Sequence, residues 1–204
     1  MQTGSTAIAA CRAAHQRLLS TATSIDDKTA RRPSRLPGWS VGHVLTHVAR
    51  NADGHVLRLE GALQGKEAAR YPGGSDQRNR EIEEGAGRPA KELVLDLANS
   101  ARRLEETWNR SEQAGWPSAH LLAEDRWPTS ESPLRRLREV EVHHVDLGLG
   151  YQATDWPDDY VRWELPLALE KLPQRLSGPT DSRRLLAWLI GRSEWPEGLE
   201  LGPW

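Results

Sequence analysis

The chain has 204 residues, 37% of them hydrophobic, and its 29 acidic and 27 basic side chains leave a formal net charge of −2. This is the length of one ordinary domain, or of one with a small appendage, and its apolar content excludes wholesale disorder. The near-balanced charge argues against a nucleic-acid-binding domain, and the longest apolar run, six residues from Leu185 to Ile190, is far short of the about 20 that a membrane span needs.

Helical periods dominate from the start. Ile8, Cys11, His15, Leu18, Ala22 and Ile25 recur every three to four residues and predict a first helix. The opening string MQTGSTAIAACRAAHQR has neither the basic start nor the apolar stretch of a signal peptide. Cys11 is the single cysteine, which excludes an internal disulfide and cysteine-based metal clusters. A reducing, cytoplasmic location is the expectation. The loop RRPSRLPG follows, and Ser40 is the expected N-cap of a second helix. Its stripe runs through Val41, Leu45, Val48, Ala52, Val56, Leu59 and Leu63. Tyr71-Pro72-Gly73-Gly74 reads as a loop and DQRNREIEEGAG as a short helical piece. Pro89 suits the first position of a third long helix, with a stripe of Leu93, Leu97, Leu104 and Trp108.

Residues 112–130 are less regular, and AHLLAEDR between two Trp-Pro pairs reads as a strand or a lid. Ser132 and Pro133 suit the N-cap and first position of a fourth helix ending near Gly148. A further helix is expected from Asp155 to about Leu176, interrupted near Pro166. A short last one is expected to be capped by Thr180 and stopped by Gly191. The tail, EGLELGPW, reads as extended. Four long helices and little strand signal predict a mainly α protein built on a four-helix bundle.

Chemistry concentrates in two helical strings. The second helix carries His43 and His47; the fourth carries Glu139, Glu141, His143, His144 and Asp146. Residues four apart on a helix point the same way, so Glu139 and His143 form one converging pair. His47 is the natural third ligand from another helix, with His43 and His144 as alternatives to His47 and His143. Two His and one Glu with an open fourth position is the arrangement of catalytic zinc, where a bound water or thiol loses its proton near neutral pH. The competing reading is a set of half-buried histidines bonded to carboxylates. His47 lies off the apolar stripe of its helix, so a site inside the bundle needs a second inward face.

The strings LPGWSVGHVLTHVARNAD and REVEVHHVDLGLGY, with YPGG, QRNREIEEGAGRPAKEL and LLAWLIGR, resemble the mycothiol-dependent maleylpyruvate isomerase family of the wider DinB-like superfamily. The resemblance runs from about residue 35 to the C-terminus. It implies a DinB-like metal-binding bundle over residues 1–150 and a short C-terminal portion over 151–204, α/β in the family. It implies a divalent metal, commonly zinc, on His47, Glu139 and His143, and mycothiol as thiol cofactor. Arg78 and Arg192 lie in family-like strings and are the candidate catalytic clamps for a small-molecule carboxylate substrate, since the planar Arg fork suits carboxylates. Asp146 and Asn51 are candidates to orient ligands, and Trp39 is expected to pack at the start of the second helix.

The implied chemistry is addition of the thiolate, activated on the metal, to the cis double bond of maleylpyruvate, rotation, and elimination to fumarylpyruvate. The nucleophile belongs to the cofactor, so Cys11 reads as a small core residue. Alternatives are a mycothiol S-transferase acting on electrophiles and a non-enzymatic metal-binding protein on the same bundle. No membrane and no nucleic acid are expected as partners. With only about 54 residues after Tyr151, the C-terminal portion looks short, so contacts that it makes in the family are expected to be reduced here.

Overall fold

The computed structural model describes residues 4–117, 127–194 and 198. It is 73% helical, and among the described residues the only β pairing is an isolated antiparallel bridge between Pro33 and Ser40. The strand or lid expected over AHLLAEDR lies outside the described residues, as does all of the expected extended tail except Gly198. The chain divides into two compact units, Met1–Trp156 and Pro157–Trp204.

The first unit contains six α-helices among its described residues: α1 (Gly4–Ala22), α2 (Asp27–Ala30), α3 (Val41–Leu63), α4 (Gly74–Ala86), α5 (Ala90–Gln113) and α6 (Ser132–Asp146). The long ones, α1, α3, α5 and α6, form the bundle. α1 ends at Ala22, before the expected Ile25, because Asp26 starts a new turn: its carboxylate accepts the Thr29 N–H at 2.7 Å and caps α2. Pro89 is the N-cap of α5, one position earlier than expected. Asp27 supplies the missing cap, accepting the Ala90 N–H at 2.7 Å. Ser132 is likewise the first residue of α6 and not its cap. Its hydroxyl is engaged elsewhere, accepting the Trp108 indole N–H at 2.9 Å and lying 2.8 Å from His55 Nδ1.

α3 is the central element. It packs on α4, α5 and α6. Its apolar stripe is buried at Val41, Leu45, Val48, Ala52 and Leu59, and a second, polar line is buried too, through His47, Asn51, His55 and Arg58. α6 runs along this polar line: Arg136 donates to Asn51 Oδ1 and to the Val48 carbonyl, both at 2.8 Å, and Ser132 meets His55. This is the second inward face that a site at His47 requires.

Close backbone approach sets the position of α4. A side chain at Gly42 would meet the Ala86 carbonyl oxygen at 2.2 Å, and one at Gly54 would meet the Arg70 oxygen at 3.1 Å and Tyr71 Cζ at 3.5 Å. Glycine at these points lets the 64–73 connection and the end of α4 lie directly on α3.

The second unit holds α7 (Asp158–Arg175) and α8 (Pro179–Leu189). α7 runs through Pro166 without the expected interruption. The bond that Pro166 removes is to the carbonyl of Arg162, an exposed residue. Pro179 opens α8 at a position that has no partner for its N–H, after Gly178, so Thr180 is inside the helix and not its cap. Gly191, at φ +68°, stops it. Among the described residues no helix is long and apolar enough to cross a membrane.

Candidate metal centre

The site begins with the first turn of α3. Ser40 caps the helix, its Oγ accepting the His43 N–H at 3.3 Å, while His43 Nδ1 accepts the Ser40 N–H at 3.1 Å. His43 is thereby committed to the cap, and its Nε2 faces Glu83 at 3.3 Å. One turn further on the same face is His47, only 5% exposed. The Trp39 ring lies 5.5 Å from the His47 ring and 6.1 Å from the His43 ring.

α6 supplies the rest. Glu139 and His143, one turn apart, both face His47. His47 Nε2 is 3.0 Å from His143 Nε2 and 3.3 Å from Glu139 Oε2, and His143 Nε2 is 3.5 Å from the same oxygen. Donors at the corners of a tetrahedron around an ion bound at about 2.0–2.1 Å lie about 3.3–3.4 Å apart. The three edges, 3.0–3.5 Å, scatter about that size, and two imidazole nitrogens with one carboxylate oxygen form a donor set suited to zinc and similar divalent ions. His144, the alternative ligand, points away: its Nε2 is 2.8 Å from Thr21 Oγ1 and its ring stacks on Tyr151 at 3.8 Å.

The outer partners of the two histidines differ in sign. His143 Nδ1 donates to Asp146 Oδ2 at 2.8 Å, which fixes the ring with Nε2 toward Glu139 and His47. His47 Nδ1 instead accepts from Arg78 Nη2 at 2.9 Å, a contact that leaves the ring proton on Nε2 and must be released for Nε2 to ligate an ion. These neighbours set the protonation. Burial works against charge on His143, but its hydrogen bonds to Asp146 and Glu139 outweigh it and push the pKa up to about 9. Burial holds His47 below the usual histidine range, with Glu139 opposing and the charges of His143 and Arg78 adding to the drop. Burial also penalises the Glu139 carboxylate, yet the two histidines hold it well below the usual range.

Asn51 is 3% exposed and serves Arg136 and not the histidines. Arg192 belongs to the second unit, is exposed, and donates to the Gly191 carbonyl at 3.4 Å. Cys11 is fully buried, and burial pushes its thiol far above the ordinary range. Spacing alone did not reveal the contact of Arg78 with His47 or the polar line between α3 and α6. The signal for the latter is the four-residue repeat His43, His47, Asn51, His55 running beside the apolar stripe.

Comparison with known proteins agrees with this architecture. A family model described as the mycothiol maleylpyruvate isomerase N-terminal domain matches residues 11–148. Among solved structures, a crystal structure of the mycothiol-dependent maleylpyruvate isomerase is 28% identical, with a TM-score of 0.73 over 79% of this chain and 70% of that one. A histidine-to-alanine mutant structure of a mycothiol-dependent maleylpyruvate isomerase is 27% identical, with a TM-score of 0.72 and the same coverage. No curated protein matches.

Proposed function

The chain belongs to the mycothiol maleylpyruvate isomerase N-terminal domain family, and on that premise we propose that it is a cytoplasmic, mycothiol-dependent metalloenzyme that isomerises maleylpyruvate to fumarylpyruvate. The observation that carries this reading is the convergence of His47, Glu139 and His143 at tetrahedral spacing. These three residues would hold a divalent ion, with zinc the favoured identity. When bound, such an ion supplies a Lewis acid that lowers the pKa of a thiol near it.

The remaining work falls to this chain's own groups. Asp146 fixes the His143 ring so that one nitrogen is kept for ligation. The Trp39 ring lies 5.5 Å from the His47 ring and adds an apolar neighbour to the site. Arg78 places a guanidinium beside His47, where a substrate carboxylate can be paired. Arg192 is the second candidate clamp. Cys11 takes no part, because a fully buried thiol is not available as a nucleophile.

The first test is elemental analysis of the wild type and of His47→Ala, purified without a metal-affinity tag. The expected result is about one equivalent of metal in the wild type and little in the variant. A wild type that takes up no metal even after incubation with zinc overturns the reading. The second test follows maleylpyruvate with mycothiol present in catalytic amount. Turnover with thiol conserved supports the isomerase; stoichiometric loss of thiol assigns an S-transferase in its place.

A further inference from the structure

Arg136 lies three residues before Glu139 and seven before His143, on the face of α6 that carries both ligands. It is 0% exposed. Among the described residues its hydrogen-bond partners are all neutral: Nη1 donates to the Val48 carbonyl and to Asn51 Oδ1, both at 2.8 Å, and Nε donates to His15 Nε2 at 3.2 Å. Val48 follows His47 directly and Asn51 is one turn on, so the guanidinium grips the turn of α3 that bears the first ligand. A guanidinium has no acceptor, so His15 Nε2 accepts and the ring proton sits on Nδ1. Nδ1 in turn donates to Glu105 Oε1 at 2.8 Å. Burial keeps this histidine neutral, lowering its pKa against the pull of Glu105. The Cys11 thiol lies 4.0 Å from Nε2, and the ring is parallel to Trp108 within 2°, at 6.1 Å.

A cation in a dry core needs a counter-charge. Here the carboxylate of Glu105 is joined to the guanidinium through an imidazole. A neutral ring that donates to a carboxylate becomes a stronger acceptor at its other nitrogen, so the charge of Glu105 is felt at Arg136. Glu105 is 26% exposed and also meets Arg12 Nε at 3.3 Å, on the outside of the bundle. The line Glu105, His15, Arg136, Val48 and Asn51 thus passes through α5, α1, α6 and α3, and it ends on the His47 turn.

We propose that Arg136 is a positioning residue of the metal centre, and that Glu105, on another helix, controls it through His15. This rests on the reading of His47, Glu139 and His143 as metal ligands. Arg136 fixes the His47 turn of α3 against the Glu139 turn of α6. Without the Glu105 charge its bond to His15 weakens, the guanidinium shifts, and the ligands lose their spacing. The effect therefore reads out in metal geometry and affinity.

The test uses the full chain loaded with cobalt(II), whose visible absorption reports coordination geometry, with affinity from chelator competition. The variants are Glu105→Gln, Arg136→Met, Arg136→Lys and Arg12→Gln. Glu105→Gln is expected to shift the cobalt bands and weaken binding about three- to tenfold. Arg136→Met should weaken it about 10- to 100-fold, and Arg136→Lys should recover part of that loss. Arg12→Gln, which removes only the outer partner of Glu105, should match the wild type. If Arg136→Met does not fold, Glu105→Gln carries the test, since its side chain is partly exposed. A Glu105→Gln protein with wild-type bands and affinity within twofold overturns the proposal, and so does an equal change in Arg12→Gln. A second readout needs no metal: nitrogen NMR of the metal-free wild type should find the His15 proton on Nδ1, and a proton on Nε2 overturns the relay. The two readings fail separately. A wild type with the expected His15 tautomer that binds neither cobalt nor zinc ends the reading of the centre, and the positioning role with it. Metal binding that ignores Glu105 ends the positioning role alone.

Discussion

Asp146 sits three residues after His143 on the same helix and accepts the proton of His143 Nδ1 at 2.8 Å. The carboxylate leaves Nε2 as the only ring nitrogen free to meet an ion. Asp146→Asn keeps the shape but removes the charge that makes the ring a strong donor. Metal affinity is expected to drop about 10- to 100-fold, with helix content unchanged. A chelator-competition titration measures this, and equal affinity in the two proteins contradicts the assignment.

Arg78 acts on the other histidine with the opposite sign. A guanidinium 2.9 Å from His47 Nδ1 disfavours a second cation nearby. Arg78→Gln is expected to bind the ion about three- to tenfold more tightly, while KM for the carboxylate substrate rises. A variant that loses on both measurements would mean that Arg78 only supports the fold.

The contacts around Ser132 are fully buried. Its hydroxyl accepts from Trp108 Nε1 and meets His55 Nδ1, and Ser132 and Trp108 are both 0% exposed. Ser132→Ala strands two polar groups in the core. The expected loss is about 1–3 kcal/mol, read from urea denaturation, with metal content retained.

Helix contact through glycine gives a paired prediction. Gly42→Ala places a methyl 2.2 Å from the Ala86 carbonyl oxygen, whereas nothing lies within 4 Å of a side chain at Gly87. Gly42→Ala is expected to cost about 1–3 kcal/mol. Gly87→Ala is expected to be neutral or stabilising by about 0.4–1 kcal/mol. Equal midpoints for the two variants would contradict the packing described.

Acid lability follows from His144. Burial and the Arg17 charge, opposed by Asp155, bring its pKa down to about 4, while Thr21 and the Tyr151 ring hold the neutral form. An unfolded histidine takes up its proton near pH 6.5. The unfolded chain therefore binds the proton first as pH falls. The contribution of His144 is full above pH 6.5 and drains toward pH 4, at up to about 1.4 kcal/mol per pH unit. His15 and His55, both lowered by burial, act in the same direction. Denaturation at several pH values should show a shallower slope in His144→Gln.

Much of this molecule is readable from residue spacing. The stripes of α3 and α5 mark their buried faces because each apolar position recurs on the helical period, as at Leu93, Leu97, Leu104 and Trp108. Glu139 and His143 announce each other by being one turn apart. The choice of His47 over His43 needs tertiary knowledge, since only the folded chain shows His43 tied to Ser40. Helix ends shift where a side chain finds a distant partner, as Ser132 does with Trp108. Arg136, fully buried with His15, Asn51 and Val48 around it, has no sequence signature, because an Arg in an Arg-rich helix looks like surface.

The polar line shared by α3 and α6 also acts as an alignment key. Along α3 the order is His47, Asn51, His55; along α6 it descends through His143 and Glu139, then Arg136, then Ser132. Apolar surfaces tolerate sliding, since one leucine replaces another. Here a slip by a single turn would strand a guanidinium and misplace an imidazole in the dry interior, at a cost of several kcal/mol. The two helices have one low-energy docking, and in it the three ligands meet.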